Sequence, residues 1–509
     1  MIANIKSAAS IGIQAYSIDI QVDIAQGLPQ ITTVGLPDTS VKESRERVRA
    51  AIKNSGYEFP SRRITINLAP ADLKKEGAGF DLPIAVGMLS IQEEIPSESL
   101  DQFLLLGELS LEGGLRPIKN AFIIVSELVN QYTFILPEMN AEECSIIPHA
   151  KIYAANHLKE VISFLKKETP LTPTSFKPFL SQDTSHQSPE NFSEVRGQTI
   201  AKRALEIAVA GEHNILLLGS PGSGKSMLAK RLPSILPPLD FQQSLEITKI
   251  YQAAGIQEEY QKKLFIPPFR SPHHTASSIA MVGGGAWPKP GEISLAHHGI
   301  LFLDEFPEFR RDVMESLRAP LEDGRVTVSR AKLQMTFPSR FMLVAAMNPC
   351  PCGFLQNSRK PCRCSLGQIQ KYQARISGPI LDRMDLQVAV STVPLEQFTM
   401  KSKEESSEQI RKRVIACREI QRKRFSGMNY FSNGTIASRD ILNVVQLDAQ
   451  GTTLLEQAVK QLKLSVRSYV KILRVARTIA DLGNSQAVEA EHLAEALQYR
   501  WFDQNHPRY

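Results

Sequence analysis

The residues with the clearest chemical capacity form one run, Gly219-Ser220-Pro221-Gly222-Ser223-Gly224-Lys225-Ser226. Its glycines let backbone amides close around an anion, Lys225 adds a compact positive charge, and the Ser226 hydroxyl can ligate Mg²⁺. The flanks give the run its meaning. Ile215-Leu216-Leu217-Leu218 before it reads as a short buried strand, and Met227, Leu228 and Ala229 after it read as the start of a helix. A nucleotide's phosphate chain is the expected ligand; a glycine-rich turn that ends by chance in Lys-Ser is the alternative. Binding becomes hydrolysis only if a carboxylate reaches the same phosphates. Ile300-Leu301-Phe302-Leu303-Asp304-Glu305 delivers two acids at the end of an apolar strand. Asp304 is expected to hold the Mg²⁺ through water and Glu305 to polarise the attacking water. The apolar run from Phe341 to Met347 ends in Asn348, either a neutral donor orienting that water or a strand-ending turn residue before Pro349.

A second chemical cluster follows directly. Of six cysteines in the chain, Cys350, Cys352, Cys362 and Cys364 are crowded into two Cys-X-Cys pairs. Four thiolates can close a tetrahedral zinc site, yet the spacing is tighter than the usual Cys-X₂-Cys, so Zn²⁺ and free or redox-active thiols are both open.

The elements that must position these groups are legible from periodicity. Ile18, Ile20, Val22 and Ile24 alternate with polar residues, as do Ile64, Ile66 and Leu68, and each set predicts a half-buried strand. Between them Ser40 and Glu43 read as a capping box opening a helix through Ile52. Residues 167–194 have the Pro, Ser, Thr and Gln composition of a linker. Strands and helices alternate again from Val195 to about Val393, as in a parallel sheet with crossover helices. Beyond Pro394 the pattern is helical only: Leu455, Ala458, Val459 and Leu462 share a face, as do Tyr469, Ile472, Leu473, Ala476 and Ile479. Arg325-Val326-Thr327-Val328 and Leu333-Gln334-Met335-Thr336 read as hairpin strands, with Arg330 and Lys332 in the turn between them. The cations Arg411, Lys412, Arg413, Arg418, Arg422, Lys423 and Arg424 mark either a DNA-binding face or a solvated helix. His273 and His274 are expected to serve in packing or loop hydrogen bonds rather than as ligands. The expected fold class is therefore α/β with a C-terminal helical region.

A length of 509 residues predicts two or three domains, and a net charge of +6 permits a nucleic-acid partner without establishing one. The longest apolar runs fall short of the ~18 residues a membrane span needs, and the N-terminus lacks the basic-then-apolar layout of a signal peptide. A cytoplasmic protein with no membrane partner is expected.

These residues resemble the AAA+ ATPases of the helix-2-insert group, which includes magnesium-chelatase ATPase subunits and MCM-type helicases. They are similar above all to the ComM (YifB, magnesium-chelatase-like) family, over nearly the whole chain. The stretches that carry the resemblance are Val195-Arg196-Gly197-Gln198, Phe269-Arg270-Ser271-Pro272-His273-His274 with Gly283-Gly284-Gly285, Asn348-Pro349-Cys350-Pro351-Cys352-Gly353, and Ile376-Ser377-Gly378-Pro379-Ile380-Leu381-Asp382-Arg383-Met384-Asp385. The resemblance implies a homo-hexameric ring using ATP and Mg²⁺. In it Arg383 is the finger that completes a neighbour's site, with Arg375 as its alternative, and Arg467 is the second sensor in the lid, with Arg474 as its alternative. It also implies that the Arg330–Lys332 hairpin and a helix-2 insert around Gly283 to Lys289, with Trp287, line a channel for DNA. Residues 1–166 resemble the Lon protease-like fold through Gly107-Glu108-Leu109-Ser110-Leu111 and Leu115-Arg116-Pro117-Ile118. Gly79, in Glu76-Gly77-Ala78-Gly79, stands where that family has its Ser nucleophile, and Phe122 stands where it has its Lys, so a non-catalytic adaptor is expected. The implied layout is the Lon-like domain, a linker over 167–194, an AAA+ P-loop core over 195–394 and a helical lid over 395–509. The implied function is a branch-migration helicase acting on recombination intermediates in natural transformation, with recombination proteins as further partners. A metal-chelatase ATPase subunit is the rival, and an ATP-dependent protease the third reading.

Overall fold

Alternation along Gln14–Ala25 produces the strand that periodicity predicts, with Ile18, Ile20, Val22 and Ile24 all buried. The computed structural model describes residues 2–36, 38–71, 75, 77–93, 95–96, 98–177, 190–256, 265–285, 288–330, 333–355, 357, 360–392, 404–462 and 464–502. The chain divides into two compact units, residues 1–182 with 249–257, and residues 183–248 with 258–509.

In the first unit a seven-stranded mixed sheet runs in the order Gln30–Val34, Arg63–Ala69, Gln14–Ala25, Ile2–Ile11, Phe103–Leu105, Thr133–Pro137, Ile152–Ala155. Ile5 faces Ile20, and Ile20 faces Leu68, so one register carries the buried stripe across three strands. Helix Asp81–Gln92 lies on this stripe and is buried from Asp81 to Ser90. The neighbouring helix begins at Thr39, one residue before the predicted capping box. Its cap is Asp38, whose carboxylate accepts the Val41 N–H at 2.8 Å, so the Ser40–Glu43 box is corrected to an Asp cap. Gly79 lies in the short turn Ala78–Phe80, and Phe122 is fully buried in helix Ala121–Leu128; Glu76 lies outside the described residues. Glu108–Leu109 and Leu115–Arg116 pair as a small hairpin separate from the main sheet. Residues 167–177 do not hang loose: the Thr174 N–H donates to Ile152 O at 2.8 Å and the Lys177 N–H to Ser145 O at 3.1 Å. The rest of the predicted linker, residues 178–189, lies outside the described residues.

The second unit is built on a five-stranded parallel sheet in the order Phe269–Arg270, Ile300–Leu303, Met342–Met347, Ile215–Leu218, Leu386–Ala389. Ile215–Leu218, Ile300–Leu303 and Met342–Met347 are buried at every residue, which explains their unbroken apolar runs. Helix Thr199–Gly211 covers the sheet and receives the C-terminal helices Ser407–Arg424 and Val466–Leu482. In the last of these Ile472, Leu473, Ala476 and Ile479 are buried, as the periodicity requires. Among the described residues no helix is long and apolar enough to cross a membrane.

The basic helix, whose sequence left a DNA-binding face and a solvated helix both open, makes several ion pairs. Arg413 pairs with Glu206 at 2.5 Å and also with Glu405, Arg418 with Glu212 at 2.8 Å, Arg424 with Asp481 at 2.5 Å, and Lys412 with Glu408 at 2.8 Å. Arg413, Arg418 and Arg424 thus reach acids elsewhere in the fold, whereas the Lys412–Glu408 pair lies exposed on the helix surface.

Candidate active site

Three parallel strands end side by side: Ile215–Leu218 delivers the glycine-rich loop, Ile300–Leu303 delivers Asp304 and Glu305, and Met342–Met347 delivers Asn348. The third strand lies between the other two. Its register pairs Leu218 with Met347 and Leu303 with Ala345, which fixes how far each loop protrudes.

The loop depends on its glycines. Gly222 and Gly224 have φ of 75° and 93°, in the left-handed region, and Gly224 immediately precedes helix Lys225–Arg231. At Gly219 the constraint is space, because a Cβ there would lie 2.5 Å from Val390 O. Lys225 is largely buried, with Nζ donating to Gly219 O at 2.7 Å, Ser220 O at 3.1 Å and Asn348 Oδ1 at 3.2 Å. Burial holds its pKa below the ordinary lysine value, against the opposing pull of the Asp304 and Glu305 charges. The Ser226 hydroxyl donates to Asp304 Oδ2 at 2.5 Å, so two hard oxygen donors of the kind Mg²⁺ requires stand together. The donor set fits Mg²⁺, and the amide-rich loop with Lys225 fits phosphate.

Glu305 has φ of 51°, a left-handed backbone unusual for a glutamate, and its N–H donates to Asp304 Oδ1 at 2.9 Å. Its carboxylate approaches His274 Nδ1 at 3.3 Å. This pairing is the contact that sequence reasoning missed, since His274 looked like a loop hydrogen-bonding residue and nothing in its spacing pointed at Glu305. His273 behaves as expected, with Nδ1 at 2.9 Å from Thr275 Oγ1. Gln198 was also missed as a contact. It adopts φ of 56° and donates to Ser223 O at 3.1 Å and to Ser391 O, tying the phosphate loop to the segment after the last strand. Its only signal was membership of Val195-Arg196-Gly197-Gln198.

The arginines are placed less directly. Arg383 is only 11% exposed, donates to Pro379 O at 2.6 Å and pairs with Glu322. Its sequence neighbours Asp382 and Asp385 pair with Arg467 and Lys471, each at 3.5 Å. Arg467 is 66% exposed at the start of helix Val466–Leu482, while Arg375 pairs with Glu308 at 2.7 Å and Arg474 is half-buried, donating to Ile436 O. Among the described contacts neither Arg383 nor Arg467 touches the phosphate loop of its own chain.

The predicted hairpin is real and longer than expected. Strands Arg325–Arg330 and Leu333–Pro338 pair up to Arg330 with Leu333, so the predicted four-residue turn shrinks to two residues. Lys332 lies outside the described residues, as does the Arg330 side chain. Gly283–Gly284 pairs with Lys289–Pro290, giving the glycine-rich insert a small ladder; Trp287 lies outside the described residues. Cys350, Cys352, Cys362 and Cys364 come together with all four sulfurs within 4.8 Å of one another.

Comparison with known proteins adds three family matches. Residues 191–398 match the family described as magnesium chelatase, subunit ChlI; residues 20–140 match subunit ChlI of Mg-chelatase, and residues 404–500 its C-terminal part. The chain is 44% identical to the YifB protein of Salmonella typhimurium, over 99% of this chain and 97% of that protein. It is 42% identical to the competence protein ComM of Haemophilus influenzae, over 98% and 97% respectively. A magnesium-chelatase subunit ChlI of Guillardia theta is 23% identical over 60% of this chain and 86% of that protein.

Proposed function

Because the chain belongs to the ComM/YifB family of magnesium-chelatase-like AAA+ proteins, we propose that it is an ATP-hydrolysing motor that works as a ring of six copies on branched DNA. The task that fits is branch migration of recombination intermediates during natural transformation, in concert with recombination proteins. One observation carries the ATPase half: Lys225, Ser226, Asp304, Glu305 and Asn348 converge at the ends of three parallel strands.

Within that reading the roles follow from geometry. Lys225 and the loop amides hold the phosphates, and Ser226 and Asp304 hold the Mg²⁺ that neutralises them. Glu305 accepts the proton of the attacking water, with Asn348 placed to orient it. Arg383 serves a neighbour's nucleotide only after leaving Glu322, and Arg467 couples the lid to hydrolysis by exchanging Asp382 for phosphate; both steps make turnover depend on assembly. Support for a DNA track comes from the competence designation of the Haemophilus relative and from the hairpin Arg325–Pro338.

The test is ATPase activity of the purified chain with and without three- and four-stranded junctions, together with strand release. DNA-stimulated hydrolysis and junction unwinding are expected; their absence, with Glu305→Gln behaving like wild type, ends the motor reading. The family matches to chelatase subunits favour one rival, an ATPase subunit for metal insertion. That rival requires stimulation by a porphyrin-binding partner and indifference to DNA.

A further inference from the structure

The four clustered cysteines are placed as a metal centre would place them. Cys350 Sγ lies 3.4 Å from Cys352 Sγ and 3.6 Å from Cys362 Sγ, and Cys352 Sγ lies 3.6 Å from Cys362 Sγ. A tetrahedral ion with Zn–S bonds of about 2.3 Å spaces its sulfurs about 3.8 Å apart, whereas a disulfide brings two of them to about 2.05 Å. All the cysteines are free. The short Cys-X-Cys spacing, which counted against a metal in the sequence, brings both sulfurs of the first pair to one centre. Backbone amides complete the picture: Arg363 and Phe354 donate to Cys352, Leu355 to Cys350, and Cys352 to Cys364. Amide donors on sulfur are what thiolate ligands need around them.

The same loop leans on the phosphate site. It leaves directly from Asn348, whose Oδ1 accepts from Lys225. Gly353, at φ of 80°, lies so close to Pro221 that an added Cβ would sit 2.4 Å from its Cδ. Asn357 donates to Ser220 Oγ at 3.0 Å, and the Gln373 amide donates to Pro349 O at 2.9 Å. Glycine at 353 and asparagine at 357 thus bring the cysteine loop against the two residues that open the phosphate cradle.

We infer that Cys350, Cys352, Cys362 and Cys364 bind one structural Zn²⁺, and that this ion, by fixing the loop that braces Ser220 and Pro221, sets the affinity of the phosphate loop for nucleotide. Zinc suits the site because it is redox-inert and accepts four thiolates without an open position. Each thiol gives up its proton to solvent on binding. The consequence is a metal-dependent nucleotide site: stripping the ion loosens the brace without touching Lys225, Ser226 or Asp304.

The second half of this inference rests on the nucleotide reading, and the first half does not. Elemental analysis of the purified full chain is expected to give one zinc per chain, with Co²⁺ exchange producing the visible absorption of a tetrahedral tetrathiolate. Stripping with a mercurial and a chelator is expected to raise the Kd for a fluorescent ATP analogue by about tenfold, a change of about 1.4 kcal/mol, and zinc is expected to restore it. Asn357→Ala keeps its zinc and shows the same weakening, which guards against a Cys352→Ser variant that merely misfolds. No metal, iron in place of zinc, or disulfides seen by intact mass overturns the metal site. Stoichiometric zinc with nucleotide affinity unchanged on removal, or an Asn357→Ala variant that binds like wild type, overturns the brace. Metal content is read without DNA or hydrolysis, so failure here is distinguishable from failure of the motor.

Discussion

At the level of single residues, the site divides into groups that hold and groups that act. Glu305→Gln preserves the volume and removes the proton acceptor, so ATP binding should persist while kcat falls by about 10²-fold or more, read by parallel binding and turnover assays. His274 acts in the opposite sense. At 3.3 Å from Glu305 it is placed to compete with water for the carboxylate. His274→Ala should therefore raise basal turnover and reduce the increment given by DNA; a variant with unchanged basal rate and stimulation refutes this competition. The positions of these groups were largely legible, because Asp304, Glu305 and Asn348 directly follow apolar runs that read as buried strands, and Lys225 and Ser226 close a glycine-rich loop that leaves a third such strand. His274 was not, since its partner lies 31 positions away and the contact is made by a loop, where periodicity carries no information.

The elements show where local rules hold and where tertiary pairing overrides them. Buried strands and amphipathic helices followed directly from their periods, as Ile18 to Ile24 and Ile472 to Ile479 illustrate. Caps were less secure: Ser40 and Glu43 fit a capping pattern, but Asp38 has the extended backbone and the carboxylate that reaches Val41 N–H. Asp38→Ala should cost about 1 kcal/mol, visible as a lower denaturant midpoint at unchanged slope. Charge density on a helix proved the poorest guide. In sequence Arg413 belongs to a run that fits either a DNA-binding face or a solvated helix; in the fold Glu206 and Glu405 hold it. Arg413→Ala should lower stability, because Glu206 is left buried without this partner, and should leave the salt dependence of DNA binding unaltered. A reduced slope of log affinity against log salt would place Arg413 on the DNA instead. Periodicity along the helix could not foresee this, because Glu206 lies on helix Thr199–Gly211.

For the molecule as a whole, two buried histidines contribute to its response to acid. Burial holds His213 at a pKa of about 4, with Nε2 at 2.7 Å from Thr478 Oγ1, and His297 is likewise held at about 4 by burial. Each is neutral when folded but protonates near its ordinary value when unfolded. Between pH ~6.5 and ~4 these two sites thus bind more protons in the unfolded chain, and their contribution to stability falls with falling pH. Asp81, raised to about 6 by burial, works in the opposite direction within the first unit, because the folded form keeps its proton longer. The midpoint temperature is expected to drop from pH 7 to pH 5 in wild type and to drop less in His213→Gln; equal slopes refute the assignment to His213. The strand order has a further consequence, one of time. Asn348 stands on a strand wedged between the phosphate-loop strand and the Asp-Glu strand, and Leu386–Ala389 closes the far edge. A ribosome delivers these pieces in the order 215, 300, 342, 386, so the strand that joins the two halves of the site is made after both of them. Competence to bind nucleotide is therefore expected to arrive late in synthesis rather than to grow strand by strand.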